Sequence, residues 1–151
     1  MNRPVRNRET EVIISGKPVM VDIELAKLID YLNKEGFKTR YCCAGHHINP
    51  GVRVCDGKQE VFKYRAYRTD GYILFEETHL NKKLIQRLVK ENEILSEKHT
   101  QTIDCLKIED MTVRWYYRLK NCRRALEYIE LLFFKSMIKC SKIELKMKIN
   151  S

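Results

Sequence analysis

The sequence has no long apolar run, and this absence excludes a transmembrane helix, which needs about 20 consecutive apolar residues. Proline and glycine are also sparse, at three and six residues, which excludes collagen-like and linker-like chains. Internal repeats and low-complexity segments are missing as well. The first eight residues are basic and polar with no apolar segment behind them, so we expect no signal peptide and a cytoplasmic protein.

The charged residues are unbalanced toward the basic side. Lys and Arg outnumber Asp and Glu by 29 to 20, which gives a net charge of +9 over 151 residues. A basic chain favours polyanionic partners, either nucleic acid or an acidic protein surface. The six cysteines would suit a disulfide scaffold in an oxidising compartment, but in the cytoplasm we expect reduced thiols.

Three segments have the apolar spacing of amphipathic helices. The first covers residues 22–35, with Asp22 as the predicted N-cap and Gly36 as the predicted left-handed C-cap. The second covers about residues 80–96, and the third covers residues 121–140. The inner stripe predicted for the third helix consists of Ala125, Tyr128, Ile129, Leu132, Phe133, Met137 and Cys140.

Residues that alternate between apolar and polar types predict strands between these helices. Helices interleaved with hairpins predict an α+β fold, a mostly antiparallel sheet with about three helices packed on one face. We expect a basic arm over 1–9, a single domain over 10–140 and a tail over 141–151 that fits either a strand or a helix end. The predicted strand segments are 10–14 with 19–21, 37–43, 52–55, 60–67 with 71–76 around a turn at 68–71, and 102–108 with 111–119.

Basic residues share one face of several predicted strands with aromatic residues. Such a face suits phosphate contacts combined with base stacking. We therefore expect a nucleic-acid-binding protein, with structured RNA as the favoured ligand. The alternative is a non-enzymatic interaction module, of phage or mobile-element origin, whose basic face docks an acidic protein. The predicted interface residues are Lys38, Arg40, Lys63, Arg65, Tyr67, Arg114, Tyr116, Arg118 and Arg123.

A loop dense in Cys, Gly and His follows the predicted strand 37–43. A strict period of two places Tyr41 and Cys43 on the face of Phe37 and Thr39. We expect the loop, kinked at Gly45, to lie beside the basic face and to mark its edge.

Two kinds of chemistry are open to this loop. Cys43 and His46 have the spacing of zinc ligands, and Cys55, His47 or His79 could complete a tetrahedral set. Cys43 or Cys42 as a thiolate, with His46 or His47 as its base, would instead suit covalent catalysis. A thiol- or zinc-dependent enzyme is therefore a further alternative, with zinc as its one candidate cofactor.

The same loop belongs to a wider pattern over residues 10–80. The pattern consists of Val21-Asp22-x-Glu24-Leu25-Ala26, Leu32-Asn33-x-x-Gly36-Phe37, Cys42-Cys43-Ala44-Gly45-His46 and Tyr72-Ile73-x-Phe75. In these segments the chain resembles a family of small uncharacterised proteins from Gram-positive bacteria and their phages. The resemblance implies an order of helix, strand, Cys-Cys-x-Gly-His loop and strand, and it implies no activity.

The loop is also remotely similar to that of the tRNA methyltransferase family of wybutosine synthesis, whose motif is Ser-Ser-Cys-Ser-Gly-Arg. Cys43 and Gly45 agree with that motif. Tyr41 and Cys42 stand in place of its serines, and His46 stands in place of its arginine. With these departures, the resemblance implies a fold and a preference for nucleic acid but no methyl transfer.

Overall fold

Hairpins alternate with helices along the chain. The computed structural model describes residues 8–45, 52–55, 58–61, 68–97, 103–118 and 121–150, with 52–55, 58–61, 68 and 141–150 described by their backbone alone. The predicted α+β class is confirmed within these ranges. The strands are β1 (Glu9–Ile14), β2 (Lys17–Asp22), β3 (Thr39–Cys43), β4 (Val52–Cys55), β5 (Lys58–Val61), β6 (Arg68–Phe75), β7 (Cys105–Glu109) and β8 (Thr112–Arg118). The helices are α1 (Ile23–Lys34), α2 (His79–Ser96) and α3 (Cys122–Asn150).

A four-stranded antiparallel sheet in the order β3-β6-β8-β7 forms the centre of the fold, and β1–β2 and β4–β5 are separate hairpins. Strand β6 pairs with β8 from Arg68, opposite Arg118, to Leu74, opposite Thr112. The predicted turn at residues 68–71 is therefore wrong, because the ladder with β8 keeps these residues extended. Strand β5 pairs with β4 and not with β6.

Gly71 lies within β6, directly opposite Trp115 of β8. A Cβ atom at Gly71 would lie 2.4 Å from Cε2 and Cζ2 of the indole ring, which is much closer than side chains pack. Glycine is needed here because the indole covers the backbone. The Trp115 side chain is fully buried, and its Nε1 has no hydrogen-bond partner among the described residues.

Helix α1 confirms the amphipathic helix predicted over residues 22–35, because it buries Leu25, Leu28, Ile29 and Leu32 along one side. Gly36 has the left-handed φ of +91° expected after the end of this helix. The role predicted for Asp22 is wrong in one respect. Asp22 occupies the N-cap position, but its side chain makes no capping hydrogen bond. Its carboxylate instead accepts a hydrogen bond of 2.7 Å from the backbone N–H of Ala44. The side chain thus joins the start of α1 to the end of β3.

Helices α2 and α3 pack against each other beneath the sheet. All seven residues of the stripe predicted for the third helix are buried, which confirms it. Glu91 of α2, also buried, accepts hydrogen bonds from Arg87 at 2.9 and 3.1 Å and forms an ion pair with Lys139 of α3. The α3 backbone continues to Asn150, so residues 141–150 are helical. None of the helices in the described ranges is long and apolar enough to cross a membrane.

Strand β3 contains a bulge between Thr39 and Tyr41. Phe37 and Thr39 face the core before the bulge, whereas Cys42 packs against the core after it and Tyr41 is 64% exposed. The strict alternation predicted for this strand is therefore wrong, because one extra residue reverses the faces of every residue that follows.

Candidate nucleic-acid interface

The central sheet has two unlike faces. Along β8, Val113, Trp115 and Tyr117 point toward the helices and are at most 1% exposed. The residues between them point to the opposite side and are half-buried or exposed. Opposite residues of paired strands share a face, so the register defines this second side, which we call the outer face. Its members with described side chains are Tyr41, Cys43, Asp70, Tyr72, Leu74, Cys105, Lys107, Glu109, Thr112, Arg114, Tyr116 and Arg118.

One row of the outer face crosses all four strands. Cys43 lies opposite Tyr72, Tyr72 opposite Arg114, and Arg114 opposite Lys107. The guanidinium carbon of Arg114 lies 5.0 Å from the centroid of the Tyr72 ring, within cation–π distance. Arg114 also donates a hydrogen bond to the carboxylate of Asp70. The guanidinium is therefore held in place, and Asp70 balances its charge.

The structure brings together only part of the predicted interface. Arg114, Tyr116 and Arg118 lie on the outer face as alternate residues of β8. Lys38 and Arg40 are exposed at the start of β3, at the margin of the sheet. The predicted residues Lys63, Arg65 and Tyr67 lie outside the described residues. Arg123 belongs to the first turn of α3 and pairs with Glu127, so it is placed on a helix and not on the sheet.

Nine of the twelve outer-face residues were absent from the predicted interface. Tyr72 and Lys107 follow simple strand alternation, and this signal was present in the sequence. Asp70 was hidden because residues 68–71 read as a turn, and Tyr41 was hidden because the bulge in β3 reverses its direction. Local patterns locate residues on strands, but the register is needed to show which of them meet.

The end of β3 forms a tight corner over Ala44 and Gly45. The hydroxyl of Tyr117 donates a hydrogen bond of 2.7 Å to the carbonyl oxygen of Ala44. Gly45 has a φ of +98°, and a Cβ atom there would lie 2.2 Å from the Tyr117 hydroxyl oxygen. Together with the Asp22 carboxylate on the other side of Ala44, these contacts fix the corner against the sheet. Both corner residues are buried, whereas Cys43 beside them is part of the outer face.

The two adjacent thiols have raised pKa values. Burial, followed by the negative charge of Asp22, raises the pKa of Cys42 to about 12. Burial also raises the pKa of Cys43, and the carboxylates of Asp22 and Asp70 act in the same direction, against a hydrogen bond from the Gly45 backbone. A thiolate nucleophile needs a lowered pKa. The described surroundings raise the pKa of both thiols, but the predicted base His46 lies outside the described residues, so covalent catalysis stays a prediction.

The predicted zinc ligands are only partly covered by the structure. His46 and His47 lie outside the described residues, and Cys55 is described by its backbone alone. Within the described side chains, no group of three His, Cys, Asp or Glu residues is placed to hold a metal ion. Zinc binding by Cys43, His46, His47 and Cys55 therefore stays a prediction, which elemental analysis of the purified protein tests.

No family model matches the chain, and no curated protein and no solved structure is significantly similar to it. The motif resemblances therefore stay predictions.

Proposed function

We propose that the protein binds RNA through the outer face of its central sheet. The observation that supports this proposal is the mixture of side chains on the outer face. Tyr72 lies opposite Arg114 and Arg114 opposite Lys107, while Arg114, Tyr116 and Arg118 are alternate residues of β8. Tyr41 lies on the same face, on the edge strand β3. An open sheet with helices behind it can present aromatic rings to unpaired bases, which stack on them, while basic side chains contact the phosphates. The unpaired segments of a structured RNA fit this surface best.

Two features of the arrangement favour nucleic acid over a purely electrostatic partner. Tyr72 lies beneath the Arg114 guanidinium, so a planar base would meet a planar cation and an aromatic ring on the same surface. Tyr41 is largely exposed without a covering residue in the described part of the chain. An acidic protein would be attracted by the cations, but its attraction does not depend on exposed aromatic rings, whereas bases stack on them.

The arginines are tested with a charge-matched pair of double variants. We expect Arg114→Ala/Arg118→Ala to weaken binding of a fluorescent RNA hairpin about tenfold or more and to reduce the salt slope by about one unit per lost phosphate contact. The control is Lys34→Ala/Lys135→Ala, which removes the same charge from the helical side. Fluorescence anisotropy over a salt series measures both quantities. Equal losses in the two double variants would contradict the proposed face.

The tyrosines separate stacking from charge. We expect Tyr116→Ala to weaken RNA binding about tenfold, in line with the cost of losing one stacked base, and Tyr116→Phe to bind like the wild type. The same anisotropy assay measures both variants. If Tyr116→Ala binds normally while the arginine variant does not, the face is an electrostatic docking surface, and the acidic protein partner becomes the better interpretation.

A further inference from the structure

A cavity of about 230 Å³ opens on the outer face where β7 and β8 meet. Its lining residues come from β7, from β8 and from the turn between the two strands. The volume lies below the range of pockets for drug-sized ligands, and it suits one flat ring system. Its lining consists of Lys107, Glu109, Asp110, Thr112, Arg114 and Tyr116.

Two residues of β7 in the cavity lining, Glu109 and Lys107, pair a hydrogen-bond acceptor with a donor. Nζ of Lys107 lies 3.4 Å from Oε2 of Glu109, and both side chains are more than half exposed. A carboxylate on a face that binds RNA repels phosphate and weakens binding. The same carboxylate becomes favourable when it accepts hydrogen bonds from the edge of a base. Glu109 is therefore better suited to contact a base than the backbone of the RNA.

The turn between β7 and β8, beside the cavity, has an unusual backbone conformation. Asp110 and Met111 have φ values of +46° and +65°, so two consecutive non-glycine residues occupy the left-handed region. This is the geometry of a tight two-residue hairpin turn, which is normally made with glycine or asparagine. The turn sets Glu109 directly opposite Thr112 and places Asp110 in the lining of the cavity, so both carboxylates lie at the same end of the site.

We infer that this cavity takes a single guanine base of the bound RNA, an inference that rests on the proposed function. The Watson–Crick edge of guanine presents two adjacent donors, N1–H and N2–H, next to the acceptor O6. Glu109 offers two carboxylate oxygens to the donors, and the neighbouring ammonium of Lys107 offers a donor to O6. Adenine, cytosine and uracil each place an acceptor where this carboxylate needs a second donor. Arg114 or Tyr116 in the cavity lining supplies a surface on which the guanine ring stacks.

The test uses fluorescent oligouridine of about 12 nucleotides and versions with one central guanosine or adenosine. The wild type should bind the guanosine version on the order of tenfold more tightly than the adenosine version, as expected of one bidentate base contact. The Glu109→Gln variant should lose this preference while binding oligouridine at least as well as the wild type. The matched control is Glu127→Gln on α3, which should keep the preference.

The outcomes separate the two proposals. Equal affinity for all three RNAs, with oligouridine still bound, overturns the guanine site and leaves the RNA-binding face standing. Failure to bind any of the three RNAs overturns the guanine site, and failure to bind the RNA hairpin as well overturns both proposals. A preference that survives in Glu109→Gln also overturns the site. Lys107→Met is a second variant in β7, and circular dichroism confirms that each variant is folded. Loss of the guanosine preference in both Glu109→Gln and Lys107→Met supports the inference.

Discussion

Two arginine–carboxylate pairs occupy opposite sides of the central sheet, and they differ mainly in burial. Arg87 and Glu91 lie among the helices, where the Glu91 side chain is 3% exposed and has Lys139 as a second cation. Arg114 and Asp70 lie on the outer face, where both side chains are 38% exposed. The chemical groups are the same in the two pairs, but their surroundings are not.

The difference in burial sets how strongly each ion pair is tied to the fold. A buried carboxylate that loses its partners costs several kcal/mol, so Glu91 ties α2 to α3 as part of the helix packing. A partly exposed ion pair contributes only about 0–1 kcal/mol. Arg114 can therefore exchange Asp70 for a phosphate group at little cost to the fold.

The largest expected effect comes from Gly45, at the buried end of β3. We expect Gly45→Ala to lower the free energy of unfolding by about 3 kcal/mol, because the new Cβ would overlap the Tyr117 hydroxyl and because its φ is left-handed. Gly16 in the β1–β2 turn is the matched control. It has a φ of +77° with open space around it, so Gly16→Ala should cost about 1 kcal/mol. Urea denaturation measures both, and equal losses would contradict the tight packing of the corner.

Removal of the carboxylate from each ion pair should give the next largest difference in the free energy of unfolding. We expect Glu91→Ala to lower the free energy of unfolding by about 2 kcal/mol, since Arg87 and Lys139 are partly exposed and recover some hydration. Asp70→Ala should change it by less than about 0.5 kcal/mol. Urea denaturation of both variants at neutral pH measures the contrast. A similar loss in the two variants would break the comparison between a structural pair and an available one.

The pH dependence of stability sharpens the assignment of Glu91. Burial alone would raise the pKa of its carboxyl group, but the hydrogen bonds and charges of Lys139 and Arg87 outweigh it and hold the pKa below the ordinary 4.5. A lowered pKa stabilises the folded state above pH 4.5, and that contribution is lost as the pH falls through the folded-state value. We therefore expect Glu91→Gln to be less stable than the wild type at about pH 7, with the gap narrowing toward about pH 3. A constant gap would contradict the charged pair.

The smallest expected effect is a gain of affinity at the outer pair. Asp70→Asn removes a negative charge from the outer face, the proposed RNA-binding surface, and releases the Arg114 guanidinium. We expect RNA to bind about threefold more tightly at low salt, with the gain shrinking as added salt screens the charges. Anisotropy with the RNA hairpin measures the change. Weaker binding would instead indicate that Asp70 holds Arg114 in its binding position.

Much of the fold was readable from local patterns. The buried stripe of α3 was predicted residue by residue, because a helix repeats one short-range period and needs no knowledge of its partners. The errors lie where a partner decides the conformation. The side chain of Asp22 accepts a hydrogen bond from Ala44 and does not cap its own helix. Residues 68–71 are extended because β8 pairs with them.

The candidate site was readable to a lesser extent. Alternation along one strand was enough to group Arg114, Tyr116 and Arg118. It could not show that Tyr72 and Asp70 surround Arg114, because that depends on the register between β6 and β8. Nor could it show the cavity, which needs β7 and β8 side by side. Sequence patterns thus located single residues of the candidate interface, and the pairing between strands shows which of them lie next to each other.

The placement of Trp115 has a practical consequence for every variant named above. It is the single tryptophan of the chain, and it is sealed between Gly71 and the helices, on the side of β8 away from Tyr116. Its fluorescence should shift to longer wavelengths when water reaches the indole on denaturation, whereas a molecule seated on the far side of the strand leaves its environment intact. One intrinsic optical signal therefore monitors the integrity of the protein independently of ligand occupancy.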